Sequence, residues 1–209
     1  MLKVALTGGI ATGKSHVLEL FRRRGVPCLD TDELAHGVMS AGTEATSAIA
    51  ARFGPAVLAH DGSVDRQTLG PIVFADPAAR RDLEAIVHPA AWRAVEAGLR
   101  GFERIGPYPA AMVDVPLLFE TGHQAHFDKV VVTSCPSDLQ LARLRARGMT
   151  DMDARRRILA QWPTEEKTSR ADFVIETGGT FEETDAQVGQ IYRALVEFAA
   201  GSSPQSGGK

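Results

Sequence analysis

A doubly wound α/β fold, five parallel strands flanked by helices, is predicted by three features of the 209-residue sequence. The first is a set of short, nearly continuous apolar runs, as strands need when helices cover both sheet faces. The second is the alternation of those runs with helical patterns, which implies parallel crossover topology. The third is Gly8-Gly9-Ile10-Ala11-Thr12-Gly13-Lys14-Ser15, directly after the apolar run Val4-Ala5-Leu6. It matches the phosphate-loop pattern G-x-x-x-x-G-K-[ST] in full and stands between a strand and a helix, where the mechanism requires it. Together these features specify a P-loop NTPase fold. Successive backbone amides of such a loop wrap a phosphate chain, and the helix N-terminus adds partial positive charge. Lys14 is then expected to reach the β- and γ-phosphates, with the Ser15 hydroxyl on Mg2+.

The elements follow in order. Val4–Thr7 is the first strand, and a helix runs from Lys14 to about Arg24, with Val17, Leu18 and Phe21 on one face and Gly25 as its stop. Val26–Leu29 forms a short second strand ending at Asp30; Ala111–Val115, Lys129–Thr133 and Phe173–Ile175 are the third to fifth. About eighty residues separate strands two and three, whereas a crossover needs only a dozen or more. Within them Asp76-Pro77 opens a helix carrying Leu83, Ile86 and Val87. His88-Pro89 is expected to break it, and Trp92, Val95, Leu99 and Phe102 form the stripe of the next. This helical insertion, about 32–109, falls beside the carboxyl ends of the strands and is the candidate domain for a second substrate. The core is then 1–31, 110–137 and 168–200.

Residues 138–167 carry Arg143, Arg145, Arg147, Arg155, Arg156 and Arg157 on two short helices separated at Gly148-Met149-Thr150, with Asp153 three residues after Thr150. An arginine-bearing hairpin near the nucleotide is expected to act as a lid; the alternative is a solvated, salt-bridged surface pair. The last helix starts at a capping box, Thr180 with Glu183, and is expected to bury Phe181, Val188, Ile191, Leu195 and Phe198. Gly201 to Lys209 reads as a loose tail.

Composition narrows the partners. The net charge of −3 offers no charge-driven attraction to nucleic acid or anionic membrane. No apolar run approaches the ~18 residues that span a bilayer, and the N-terminus enters a strand at once, so no signal peptide is expected. Cys28 and Cys135, far apart in sequence, read as buried structural thiols of a reducing compartment. A cytoplasmic protein is expected, a monomer at most weakly self-associating, with no nucleic-acid or membrane partner.

Phosphoryl transfer to an alcohol needs a carboxylate near the attacking oxygen. Leu29-Asp30-Thr31-Asp32 leaves strand two and enters a helix, so both acids fall at the carboxyl edge of the sheet. Asp32 is the candidate base and Asp30 a positioning or Mg2+-linked acid; the alternative is that one of them caps the next helix. Asp114, ending strand three, is a candidate acid for Mg2+ or its waters.

The motifs as a set resemble the dephospho-coenzyme A kinases, over about Leu2 to Ala199. The resemblance rests on A-L-T-G-G-I-x-x-G-K-S at Ala5–Ser15, D-x-D at Asp30–Asp32 with His36 after it, and D-G-x-x-D-R at Asp61–Arg66. It continues in Val73-Phe74, His88-Pro89 and, most tellingly, V-P-L-L-F-E at Val115–Glu120. Gln140, Arg143, Arg147, Gln161 and Ala171-Asp172 complete it. The resemblance implies an ATP- and Mg2+-dependent transfer of phosphoryl to the ribose 3′-hydroxyl of dephospho-coenzyme A. It places Asp32 as base, Lys14 and the loop from Gly8 to His16 on the ATP phosphates, and Arg143 and Arg147 on the lid, stabilising the transferring group. It also places Arg66, His88, Leu117 and Glu120 toward the acceptor. Three positions depart from the family pattern: Ala11-Thr12 replaces Gly-Ser, His16 replaces Thr, and Thr177 replaces an Asn near the adenine. A GTP-dependent switch would read guanine with Asn-Lys-x-Asp, and this chain has no Asn. Another small-molecule kinase of the fold would not need V-P-L-L-F-E. A zinc site on His123 and His126 lacks the glutamate or cysteine partners such sites use.

Overall fold

The computed structural model describes residues 1–201; the tail expected over 201–209 lies, beyond Gly201, outside the described residues. Strands β1 (Leu2–Gly8), β2 (Cys28–Asp30), β3 (Ala110–Asp114), β4 (Lys129–Ser134) and β5 (Phe173–Glu176) form one sheet in the order β2-β3-β1-β4-β5. Val4 is opposite Met112 of β3 and Lys129 of β4, both parallel pairings, and β4 continues parallel to β5. The five apolar runs of the sequence are these five strands. β1 is central, with connections leaving on either side of it, so the topological-switch crevice opens at its carboxyl end, where the phosphate loop begins.

Helix α1 (Lys14–Arg23) follows the loop. Between β2 and β3 lie α2 (Thr31–Gly37), α3 (Glu44–Phe53), α4 (Arg66–Ala75) and α5 (Pro77–Ile105). Between β4 and β5 lie α6 (Ser137–Ala146), α7 (Asp151–Leu159) and α8 (Thr164–Thr168), and α9 (Phe181–Gly201) closes the described chain. The chain divides into two compact units, Met1–Leu29 with the residues from Gly101 onward, and Asp30–Arg100. Among the described residues no helix is long and apolar enough to cross a membrane.

In the first unit, Val17, Leu18, Leu20 and Phe21 of α1 and Val188, Ile191 and Leu195 of α9 share one core with Val4, Leu6, Met112, Val131 and Ile175 of the sheet. The 3.6-residue spacing of those side chains is why both helices lie on the sheet. α9 opens on the expected capping box: Thr180 N donates to Glu183 Oε2 (2.8 Å) and Glu183 N to Thr180 Oγ1 (3.2 Å). Two of its aromatic residues differ from expectation. Phe181 is 72% and Phe198 47% exposed. Phe181 is the first residue of the helix, ahead of the stripe, and its ring meets His16 instead. Phe198 packs edge-on against Phe173 and beneath the Lys129 ammonium.

The second unit has its own core of Ile49, Val57, Val64, Leu69 and Val87, with Leu83 and Ile86 against it. Its helices are capped by Thr43, which accepts from Thr46 N, by Asp65, which accepts from Gln67 N, and by Asp76, which accepts from Ala78 N. The break predicted at His88-Pro89 does not occur: α5 is continuous, with Pro89 inside it. Proline removes one backbone donor and crowds the carbonyl four residues back, at a cost of about 3 kcal/mol. Val87, Ala90, Val95 and Leu99 are all buried, so the apolar stripe runs across the proline, and packing on both sides holds the helix through it.

Burial pushes the Cys28 thiol up to about 12, the nearby Arg22 guanidinium only partly opposing it, and burial also raises Cys135. Only the thiolate reacts, so maleimide labelling of the half-buried Cys28 at pH 8 should be slower than that of a free cysteine by on the order of 10²–10³. Labelling at the free-cysteine rate in the native protein, rather than only after unfolding, would contradict this burial.

Candidate active site

The loop from Gly9 to Gly13 has every carbonyl turned outward and occupied. Gly9 O accepts from Thr12 N and Oγ1, and Ile10 O from Gln140 Nε2 (2.8 Å). Ala11 O accepts from Arg143 Nη1 (3.1 Å), Thr12 O from the Thr177 hydroxyl, and Gly13 O from His16 N and Val17 N. In a trans peptide the C=O and the next N–H point in opposite directions. Pinning the carbonyls of Ile10, Thr12 and Gly13 outward therefore turns the amides of Ala11, Gly13 and Lys14 inward. These three, with Ser15 N at the start of α1, have no acceptor among the described residues. Gly13 has φ +87°, a conformation glycine adopts without strain. Ala11, where the family pattern has glycine, sits at φ +61°, a conformation costing a non-glycine residue about 1–2 kcal/mol. Amides left free on one side of such a turn are the donors an anion can use.

Lys14 Nζ is paired with both oxygens of the Asp114 carboxylate, whose side chain is 3% exposed. Asp114 stands at the end of β3, beside β1, which brings it to the loop. Ser15 is exposed on the first turn of α1. Arg143, expected among the lid arginines, has its guanidinium on Ala11 O and on Thr177 O and Oγ1 (3.1, 2.6 and 3.3 Å). Arg147, one turn on, is exposed; its backbone N–H donates to Leu144 O, and its side chain makes no hydrogen bond or ion pair among the described residues. Both line a cavity of about 390 Å³ with Gly13, His16, Thr177 and Phe181. The His16 ring meets Phe181 edge-on at 4.8 Å, and its Nε2 is buried without a hydrogen-bond partner. Thr177, in the place of the family's Asn, uses its hydroxyl on the loop, donating to Thr12 O or Ser134 O.

The segment after β3 carries Leu117, 42% exposed, then Leu118 and Phe119, both buried. Glu120 Oε1 accepts from Trp162 N (3.0 Å) and forms an ion pair with Lys167 Nζ (2.6 Å). Lys167 is fully buried and not aligned for a hydrogen bond; Glu120 Oε2 is buried with no partner. Phe119 stacks on Trp162, and the Arg170 guanidinium lies over the Trp162 ring. Gln161 Oε1 accepts from Ile10 N (2.7 Å). Nothing in Thr164-Glu165-Glu166-Lys167-Thr168 marks Lys167 as buried, because a mixed charge run reads as solvated surface.

In the Asp30–Arg100 unit, Asp30 Oδ1 caps α2, accepting from Asp32 N (2.8 Å) and Glu33 N (3.3 Å). The capping role left open by the sequence thus falls to Asp30. Asp32 keeps an exposed carboxylate on the first turn. One turn along α2, His36 Nε2 contacts Arg66 Nη1, joining two of the quoted motifs. His88 is exposed on α5. Asp172 has a structural role, binding Lys129 Nζ and Val130 N.

The dephospho-CoA kinase family model matches residues 2–183. The chain is 46% identical over 202 residues to a dephospho-CoA kinase of Anaeromyxobacter dehalogenans, covering 96% of this chain and 94% of that protein. Among solved structures, a Campylobacter jejuni dephospho-CoA kinase superposes with TM-score 0.73 at 25% identity, covering 94% of this chain and 98% of the other. A Thermus thermophilus crystal structure gives TM-score 0.76 at 31% identity, covering 93% and 97%.

Proposed function

The chain belongs to the dephospho-CoA kinase family, and from that premise we infer how its residues carry phosphoryl from ATP to the ribose 3′-hydroxyl of dephospho-CoA. The products are CoA and ADP, and the reaction is the last step of CoA biosynthesis. The observation that carries the nucleotide part is the loop with its carbonyls pinned outward and its amides turned inward. Such preorganised donors act on a charged phosphoryl group without reorganising during transfer. Lys14 reaches the β- and γ-phosphates, leaving its pairing with Asp114. The base and ribose occupy the cavity lined by His16, Thr177 and Phe181, and Arg147 meets phosphate oxygens from the hairpin. Arg143 acts through the loop it holds.

The oxygen donors present suit Mg2+: the Ser15 hydroxyl and the Asp114 carboxylate are hard ligands of the kind it prefers. Bound there, the ion would neutralise charge on the β- and γ-oxygens. Asp32 takes the proton of the 3′-hydroxyl as that oxygen bonds to the γ-phosphorus and the bond to the bridging oxygen of ADP breaks. Arg66, steadied by His36, offers cationic donors to the acceptor's phosphates. His88, Leu117 and the unpartnered Oε2 of Glu120 provide further acceptor contacts.

An ADP-release assay across dephospho-CoA, AMP, shikimate and gluconate tests the substrate. Turnover confined to dephospho-CoA is expected. Comparable kcat/KM on any of the others, or no turnover on dephospho-CoA, would overturn the reading.

A further inference from the structure

We propose that residues 161–167, together with Gln140, form a two-ended brace that sets the direction of the phosphate-loop amides, with Gln140, Gln161 and Lys167 as positioning residues. The proposal rests on ATP binding at the loop. At one end two glutamines grip both sides of Ile10. Gln161 Oε1 accepts from its N–H at 2.7 Å, and Gln140 Nε2 donates to its carbonyl at 2.8 Å. The second contact matters most. It orients the Ile10–Ala11 peptide, and the amide of that peptide, Ala11 N–H, is one of those turned inward. Ala11 holds φ +61°, so without the grip this peptide has reason to relax. The fit is tight: a Cβ on Gly9 would lie 2.7 Å from Gln140 Nε2 and 3.0 Å from Thr164 Oγ1.

At the other end the chain is anchored immediately beyond Gln161. Trp162 N donates to Glu120 Oε1, and the fully buried Lys167 pairs with the same oxygen at 2.6 Å. The Trp162 ring stacks with Phe119, and the Arg170 guanidinium lies over it. A buried ammonium persists only with such a partner. The group holding Ile10 and the group holding Glu120 belong to adjacent residues, Gln161 and Trp162, so the phosphate loop and the segment after β3 are held through one short stretch. A solvated surface hairpin would show none of these long-range contacts.

Calorimetric ATP affinity, KM for each substrate and melting temperature, measured on full-length variants, test the brace. Gln140→Met and Gln161→Met keep side-chain size but lose the donor and the acceptor. Each is expected to weaken ATP binding about five- to tenfold, as for loss of one neutral hydrogen bond. KM for dephospho-CoA should stay within twofold. The double variant should lose less than the product of the two, because both grip one residue. Lys167→Met should weaken ATP binding in the same direction and lower the melting temperature. Glu120→Gln/Lys167→Met removes both buried charges; it should regain the melting temperature but not the ATP affinity. Unchanged ATP affinity in the glutamine variants, or full recovery of affinity in the Glu120/Lys167 double variant, would overturn the brace. Wild-type turnover in the same assays separates this failure from that of the family reaction: an active wild type with indifferent variants rejects only the brace.

Discussion

Asp32→Asn is expected to lower kcat by on the order of 10²–10⁴, the span of a lost general base. Asparagine keeps the size and place of the side chain but cannot take a proton. The fold should not notice the change. Asp30, not Asp32, supplies the cap of α2, and the Asp32 side chain is exposed. A surface change away from such features shifts stability by only about 0.5 kcal/mol, so the melting temperature should hold while turnover falls. Steady-state kinetics with saturating ATP and dephospho-CoA, paired with thermal melts, give both quantities. Near-normal turnover would move the base elsewhere. A paired loss of turnover after Asp30→Ala, with a lowered melting temperature, is the signature of a lost cap and would not bear on the base.

Lys14→Ala is expected to lower turnover by on the order of 10²–10³, as for one preorganised transition-state contact. This change does touch stability. Lys14 neutralises Asp114, whose side chain is 3% exposed. Removing one member of a buried pair strands the other charge, a loss of up to about 3–5 kcal/mol when burial is complete; at 17% exposure of Lys14 the loss should be smaller. Lys14→Ala/Asp114→Asn separates the two effects: the double variant should recover the melting temperature yet remain as slow as Lys14→Ala or slower. If neutralising Asp114 restored turnover to within tenfold of wild type, Lys14 would serve the carboxylate rather than the phosphates.

Much of the scaffold was legible because its determinants are local. Five apolar runs became five strands, Thr180 and Glu183 became a reciprocal cap, and Gly8 to Ser15 a loop between strand and helix. The errors were also local rules overruled from a distance. Pro89 ought to end a helix, but a stripe from Val87 to Leu99 is buried across it. Phe181 has the spacing of a core residue, but at the first position of α9 it meets His16 rather than the sheet.

The choice between two neighbouring acids shows where sequence reading ended. Asp30-Thr31-Asp32 allowed either carboxylate to cap or to react, and backbone geometry assigned the cap to Asp30. Lys167 marks the same limit from the other side, since a lysine among glutamates and threonines carries no sign of burial. By itself the sequence determined the fold, the phosphate loop and the family, because periodicity, glycine placement and motif spacing act through neighbours along the chain. Only the tertiary structure decided that Gln140, Gln161, Arg143 and Thr177 hold the loop's peptides, because they approach it from 130 or more residues away, and hydrogen-bond direction exists only once those segments meet in space.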